Sequence, residues 1–213
     1  MEKIDYQLIR HFGPSVFRVK IPNKIVDQLN EYVEGIIKDK KKSTELNHGD
    51  SLVGDVTQEF KLEIDFMKKC GWSEFLVNCV NKWISLDLNM KITKFNLISS
   101  WVVRQFENEY NPTHWHGGHI SGAGFLKVPK SLGKHVQTKQ GTNYNGGNLQ
   151  LIHGSRMFLS QSVLNIEPNV GDFYFFPNYL MHSVFPFKGT KEERRSISFN
   201  ASIDDKIYNV YDN

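Results

Sequence analysis

His114-Trp115-His116, followed 66 residues later by His182 within Tyr179-Leu180-Met181-His182-Ser183-Val184, is the stretch on which the reading of this chain turns. Residues two apart on an extended strand project to one face, so His114 and His116 can offer two imidazoles to one point. His182, from a distant strand, completes a facial set of three and leaves the other positions of an octahedral ion open. Open positions beside imidazole ligands are what a non-haem iron centre needs for oxygen chemistry. Trp115, between the two histidines, is expected to turn away from the metal into the neighbouring core. Downstream, Arg194-Arg195-Ser196-Ile197-Ser198-Phe199-Asn200 alternates as a strand and puts Arg194, Ser196, Ser198 and Asn200 on one side. An arginine beside a metal is a natural clamp for the carboxylate of an acid. Arg195 is the rival clamp, and strand parity sends it to the other face. Glu192 and Glu193, at the start of this strand, are expected in solvent.

A His-x-His pair by itself is more often ordinary structure on a half-buried strand than a metal site. The order of the motifs shifts that balance. Gly146-Gly147-Asn148-Leu149 lies between the two histidine segments, where a backbone can pass closely over a site. Gly171-Asp172-Phe173-Tyr174-Phe175-Phe176-Pro177, an apolar strand ending in a turn, comes just before His182, and Arg194 comes 12 residues after it. Two other ligand sets are open at this stage. His116 could be the first ligand with Gly118 two residues on, leaving a vacancy of the halogenase kind. His119 could serve if the chain turns at Gly117-Gly118. The favoured set is His114, His116 and His182, with His119 at the mouth of the site or just behind its ligands.

With these residues in place the sequence resembles the Fe(II)/2-oxoglutarate oxygenases, and most closely a phage and bacterial branch whose first motif reads His-x-His rather than His-x-Asp. The resemblance runs from about Trp101 to Ala201 through His114-Trp115-His116, Ser121 to Pro129, Gly171 to Pro177, His182, and Arg194 to Asn200. It implies a mainly β fold with flanking helices, a double-stranded β-helix of the jelly-roll or cupin-like kind. It implies Fe(II) and 2-oxoglutarate as cofactors and O₂ as oxidant. It makes His114 and His182 iron ligands, Arg194 the partner of the far carboxylate of 2-oxoglutarate, and Ser196 a second donor. The implied reaction is hydroxylation of a substrate with release of succinate and CO₂. The chain departs from most of the superfamily at His116, where a carboxylate is usual. A neutral imidazole there leaves one more unit of positive charge at the centre. Two other classes stand beside this one: a cupin-like three-histidine dioxygenase that does not use 2-oxoglutarate, which Arg194-x-Ser196 argues against, and a non-catalytic β-sandwich binding protein.

The 213 residues suffice for one domain with a sizeable core. The expected division is a helical and edge-strand support over 1–95 and the metal-bearing β-helix over 96–213. Fifteen Phe, 8 Tyr and 4 Trp, concentrated in the strand-like half, suit a β-sandwich core. A net charge of +3 is too small to indicate nucleic acid, and the lysines at 38, 40, 41 and 42 read as a solvated loop. Two cysteines, Cys70 and Cys79, make no disulfide framework and point to a reducing compartment, the cytoplasm. No apolar run is long enough to cross a membrane, and Met1 to Asp5 lacks the plan of a secretion signal. The substrate, a small molecule, peptide or nucleobase, is not named by any motif.

Along the chain, Tyr6–Ile9 and Ser15–Ile21 read as strands. Helical spacing runs from Asn23 to about Asp39 and again from Glu74 to Asp87, with a helical turn at Asp65–Lys69. Lys38–Gly49 reads as a loop and Ser51–Glu63 as an extended stretch crossing the site. Strands are predicted over Ile92–Ser99, Ser100–Glu107, the His-x-His segment, Ser121–Val128, Leu149–Ile152 and Ser162–Glu167, followed by the two motif strands. Ser131–Asn145 is a long loop.

Overall fold

Phe173 and Phe175 point one way and Tyr174 and Phe176 the other, and this alternation divides the molecule into two apolar layers. The computed structural model describes residues 4–9, 13–49, 53–133, 146–158 and 160–211. In chain order the elements are β1 (Tyr6–Ile9), β2 (Val16–Lys20), α1 (Asn23–Lys38), α2 (Lys40–Glu45), β3 (Gln58–Lys61), α3 (Ile64–Lys69), α4 (Trp72–Leu88), β4 (Phe95–Gln105), β5 (Asn111–His114), β6 (Ile120–Lys127), β7 (Leu149–Ile152), β8 (Val163–Ile166), β9 (Asp172–Pro177), β10 (Met181–Val184), β11 (Arg194–Ile203) and α5 (Asp205–Tyr208). A seven-stranded sheet in the order β1-β2-β9-β6-β11-β4-β3 packs against a four-stranded sheet in the order β5-β10-β7-β8. Every strand pair is antiparallel. This is the expected double-stranded β-helix with supporting helices.

Between the sheets Phe125, Tyr174 and Phe176 of the larger one meet Leu149, Leu151 and Ile166 of the smaller. The opposite face of the larger sheet presents Phe173, Phe175, Ile197 and Phe199 to the helices. Helix α1 answers with Val26, Leu29, Val33 and Ile36, and α4 with Trp72, Phe75, Leu76, Cys79, Val80 and Trp83. Their spacing lays one apolar stripe along each helix, which is why the sheet draws them on. On β6, Gly124 sits opposite Phe173, and a Cβ at Gly122 would run into the rings of Phe173 and Phe199. Glycine lets those aromatic rings lie against the strand.

Several local expectations need correcting. The two strands predicted over 92–107 are one strand, β4, because β11 pairs with it along its length and absorbs the irregularity as a bulge at Asn200/Ala201. The lysine-rich loop contains α2, started by Asp39, whose side chain accepts from the N–H groups of Lys41 and Lys42. Trp115 does not enter the core: it is 64% exposed, because β5 ends at His114 and the alternation stops with it. Glu193 is buried rather than solvated. It takes paired hydrogen bonds from Arg104 and Arg195 on the helix side of the sheet, and Arg195 continues to Glu34 and Asn30 of α1. Burial alone would raise the Glu193 carboxyl, but these two guanidinium groups outweigh it and hold it down at about 2. Cys70 and Cys79 are buried free thiols. No helix among the described residues is long and apolar enough to cross a membrane. Most of the loop predicted over 131–145, including His135, lies outside the described residues.

Candidate metal and 2-oxoglutarate site

His114 closes β5 directly opposite His182 on β10, so strand pairing brings their rings together, tilted at 52° with centroids 4.2 Å apart. His116 lies beyond the strand end and arrives by a different route. The side chain of Asn178, in the turn after β9, donates to the His116 carbonyl, and the Asn178 carbonyl accepts from the His116 N–H. This brings His116 Nε2 to 3.1 Å from His182 Nε2. One ring nitrogen from each of His114, His116 and His182 falls within 4.8 Å of the others.

The remaining ring nitrogens explain the orientation. His114 Nδ1 lies 2.7 Å from the Pro112 carbonyl and His182 Nδ1 lies 2.9 Å from the Leu180 carbonyl. A carbonyl can only accept, so each Nδ1 carries the proton and each Nε2 keeps a lone pair for the common point. Burial lowers the basicity of all three, helped at His116 by His114 and at His182 by both neighbours. His116 is held at about 4 and His182 at about 3. Three neutral imidazoles whose ring nitrogens converge are the donor set of a borderline divalent metal such as Fe(II), so the residues present fit the ion.

A cavity between the sheets holds this cluster together with Trp101, Asn111, Phe125, Phe176, Arg194 and Ser196. Arg194 is 2% exposed. Its Nε donates to the Gly147 carbonyl at 2.8 Å, its Nη1 to Gln105 Oε1 at 3.1 Å and more weakly to Ser196 Oγ at 3.4 Å, and its guanidinium lies 5.0 Å from the Phe125 ring. No carboxylate among the described residues pairs with it. Burial without an anion pulls the group down to about 9, so it still carries its charge at neutral pH. A buried cation held by neutral oxygens is costly until an anion arrives. A dicarboxylate cosubstrate supplies one, and the site fits 2-oxoglutarate on that ground.

Residues 99–200, which span the strands just described, match the family model described as "Putative 2OG-Fe(II) oxygenase". Over that stretch, just under half of the chain, the sequence matches the 2-oxoglutarate–Fe(II) oxygenase superfamily. Its cofactors are Fe(II) and 2-oxoglutarate. The oxygenase is similar in fold to a Pseudomonas putida prolyl-4-hydroxylase, at 14% identity over 94% of this chain and 92% of that one, with a TM-score of 0.58. The 2-oxoglutarate complex of a viral collagen prolyl hydroxylase from Paramecium bursaria Chlorella virus-1 aligns at 17% identity over 92% and 94% of the two chains, with a TM-score of 0.50. The α-ketoglutarate-dependent epimerase SnoN of nogalamycin biosynthesis aligns at 13% identity over 87% and 76%, with a TM-score of 0.56. At such identities the likeness is one of fold. No curated protein matches the oxygenase in sequence.

The structure brings His114, His116, His182, Arg194 and Ser196 to one cavity and sends Arg195 to the helix face. It does not bring His119, which was expected near the mouth. The chain turns at Gly118 (φ +87°), and His119 stacks on Tyr208 at 4.1 Å while its Nδ1 accepts the Ile203 N–H. His119 and His153 line a separate cavity near α5. Gln105 on β4 is buried and holds Arg194. Glu59 and Asn111 were missed altogether. Both line the cavity, and neither oxygen of the Glu59 carboxyl nor Asn111 Oδ1 has a hydrogen-bond partner among the described residues. Thr57-Gln58-Glu59-Phe60-Lys61 carries no signal for this, since a charged residue on a short edge strand usually faces water.

Burial raises the Glu59 carboxyl from its ordinary range to about 7. The unfolded chain loses this proton near 4.5 and the folded one near 7, so stability is full below pH 4.5 and falls as pH rises through 7. Glu59→Gln removes the penalty. It is expected to raise unfolding stability by up to about 3 kcal/mol at pH 8 and by almost nothing at pH 4, read from urea melts at the two pH values. An equal effect at both would mean that Glu59 is hydrated rather than desolvated.

Proposed function

We propose that the 213 residues act as one domain of a non-haem Fe(II)- and 2-oxoglutarate-dependent dioxygenase that hydroxylates its substrate, with His114, His116 and His182 as the iron ligands and Arg194 and Ser196 as the anchor of 2-oxoglutarate. The observation that carries this reading is Arg194: a fully buried guanidinium with no anionic partner among the described residues, in the cavity where three neutral imidazoles converge. Fe(II) and 2-oxoglutarate, bound together, would supply the oxidising power of O₂, with the cosubstrate leaving as succinate and CO₂. The chain's own residues bind and orient. His114, His116 and His182 would hold the metal through Nε2, each Nδ1–H of His114 and His182 being tied to a carbonyl so that the rings cannot turn. Arg194 would take the distal carboxylate in a charged fork while Gln105 and the Gly147 carbonyl keep the fork aimed. Trp101, Phe125, Leu149 and Phe176 wall the cavity and keep water away from the reacting centre. Cytoplasmic residence suits the free thiols of Cys70 and Cys79.

Anaerobic protein given Fe(II) and 2-oxoglutarate is expected to show a weak visible charge-transfer band, and on exposure to O₂ to release succinate slowly without substrate. A band without succinate would leave cosubstrate binding in place but make turnover dependent on substrate. Iron-loaded protein with neither band nor succinate would exclude 2-oxoglutarate use and favour a three-histidine dioxygenase acting directly on its substrate.

A further inference from the structure

Arg194 is not the only uncompensated charge in the cavity. Glu59, 1% exposed, is the other, and its surroundings define what it can accept. Strand β3 pairs with β4 so that Glu59 stands opposite Val103 and Phe60 opposite Val102. Phe60 is buried in the helix-side core, and alternation then commits Glu59 to the cavity face; a slip of one residue would turn Phe60 out of that core. The carboxyl therefore cannot escape to solvent by a local adjustment. Both of its oxygens lack a partner among the described residues, and no lysine or arginine pairs with it there.

Asn111 Oδ1 is the second bare acceptor, on β5 of the opposing sheet. Its side chain packs against Gly54, where a methyl group would collide with it. Val53 and Gly54 also line the cavity, and Asp55 bridges to Tyr110 just before β5, which fixes this segment across the site. Two acceptors on facing walls call for a ligand rich in N–H donors. An anion would be repelled by the Glu59 carboxylate, and a single hydroxyl would satisfy one of the two. Ammonium and guanidinium groups carry three to five donors and no acceptor, and their charge compensates a buried carboxylate as no neutral group can.

We propose that the substrate of this oxygenase presents an organic cation, an ammonium or guanidinium group, to Glu59 and Asn111. The cavity is then electrically complementary at two places: Arg194 takes an anion, and Glu59 takes the cation of the molecule to be oxidised. This rests on the cavity being the 2-oxoglutarate site proposed above.

The test uses n-butylguanidinium and its neutral isostere n-butylurea as probes, titrated into the full chain and followed by ligand-observed NMR. The chain is expected to prefer the guanidinium at least tenfold. Glu59→Gln should bring that preference within twofold, Glu59→Asp should restore part of it, and Asn111→Ala should weaken guanidinium binding about threefold. Circular dichroism establishes that each variant is folded, and Asn111→Ala decides the matter if Glu59→Gln is not. Equal affinity for the two probes, or a preference that survives Glu59→Gln, overturns the proposal. The anaerobic charge-transfer band is recorded on the same wild-type sample. A Glu59-dependent preference without the band would leave the cation site standing while the oxygenase reading fails. The band without the preference would do the reverse.

Discussion

His182→Ala is expected to abolish stoichiometric Fe(II) binding, and His114→Ala and His116→Ala to do the same, each weakening affinity by at least about 100-fold. Partners that merely orient a metal ligand are worth roughly 10–100-fold in affinity, so loss of a ligand itself should exceed that. His182 is the most shielded of the three, and burial with two neighbouring imidazoles keeps it neutral down to about pH 3. It is therefore ready to bind without first releasing a proton. His119→Ala and His153→Ala should leave iron affinity within about twofold, since both side chains line another cavity; His135→Ala, outside the described residues, carries the same expectation. Anaerobic metal titration of the six variants decides this. Tight iron in His116→Ala would remove that residue from the ligand set and leave His114 and His182 as a two-histidine centre.

The second large effect separates two adjacent arginines. Arg194→Ala is expected to raise the 2-oxoglutarate dissociation constant at least ~30-fold, because losing one partner of a shielded, charged hydrogen bond costs about 2–5 kcal/mol. Its effect on stability should be smaller, since the variant also removes an unpaired buried cation. Arg195→Ala should do the opposite. It breaks a network that joins β11 to α1 through Glu193 and Glu34, and leaving Glu193 short of a partner is expected to lower stability by about 3–5 kcal/mol. The folded fraction should bind 2-oxoglutarate almost normally. Calorimetric binding and urea melts on the same pair of proteins give both readouts. Equal losses of 2-oxoglutarate affinity would show that the two guanidinium groups share the site.

Much of this was legible because β-strand alternation is a local rule. Arg194 and Arg195 could be assigned to opposite faces from their order alone, and the cavity and the α1 network lie on those faces. The same rule failed where a strand stopped. His116 and Trp115 were read as continuing the strand of His114, but β5 ends at His114. His116 reaches the cluster because Asn178 holds its backbone, and Trp115 is left in solvent. His119 was displaced for a similar reason, the turn at Gly118.

By itself the sequence determined the residue types that converge, the period that sorts them into faces, and the apolar stripes that bring α1 and α4 to the sheet. Those are properties of a few neighbouring residues and survive whatever the rest of the chain does. Only the tertiary structure decided which face meets a cavity and which meets water. Glu59 is the clearest instance. As a charged residue on a four-residue edge strand it reads as solvated, and only the pairing of β3 with β4, the burial of Phe60 and the packing of the smaller sheet opposite enclose it. Burial is a sum over segments far apart in the chain. No local pattern can report it, and the buried, unpartnered acid that results is the group most informative about the substrate.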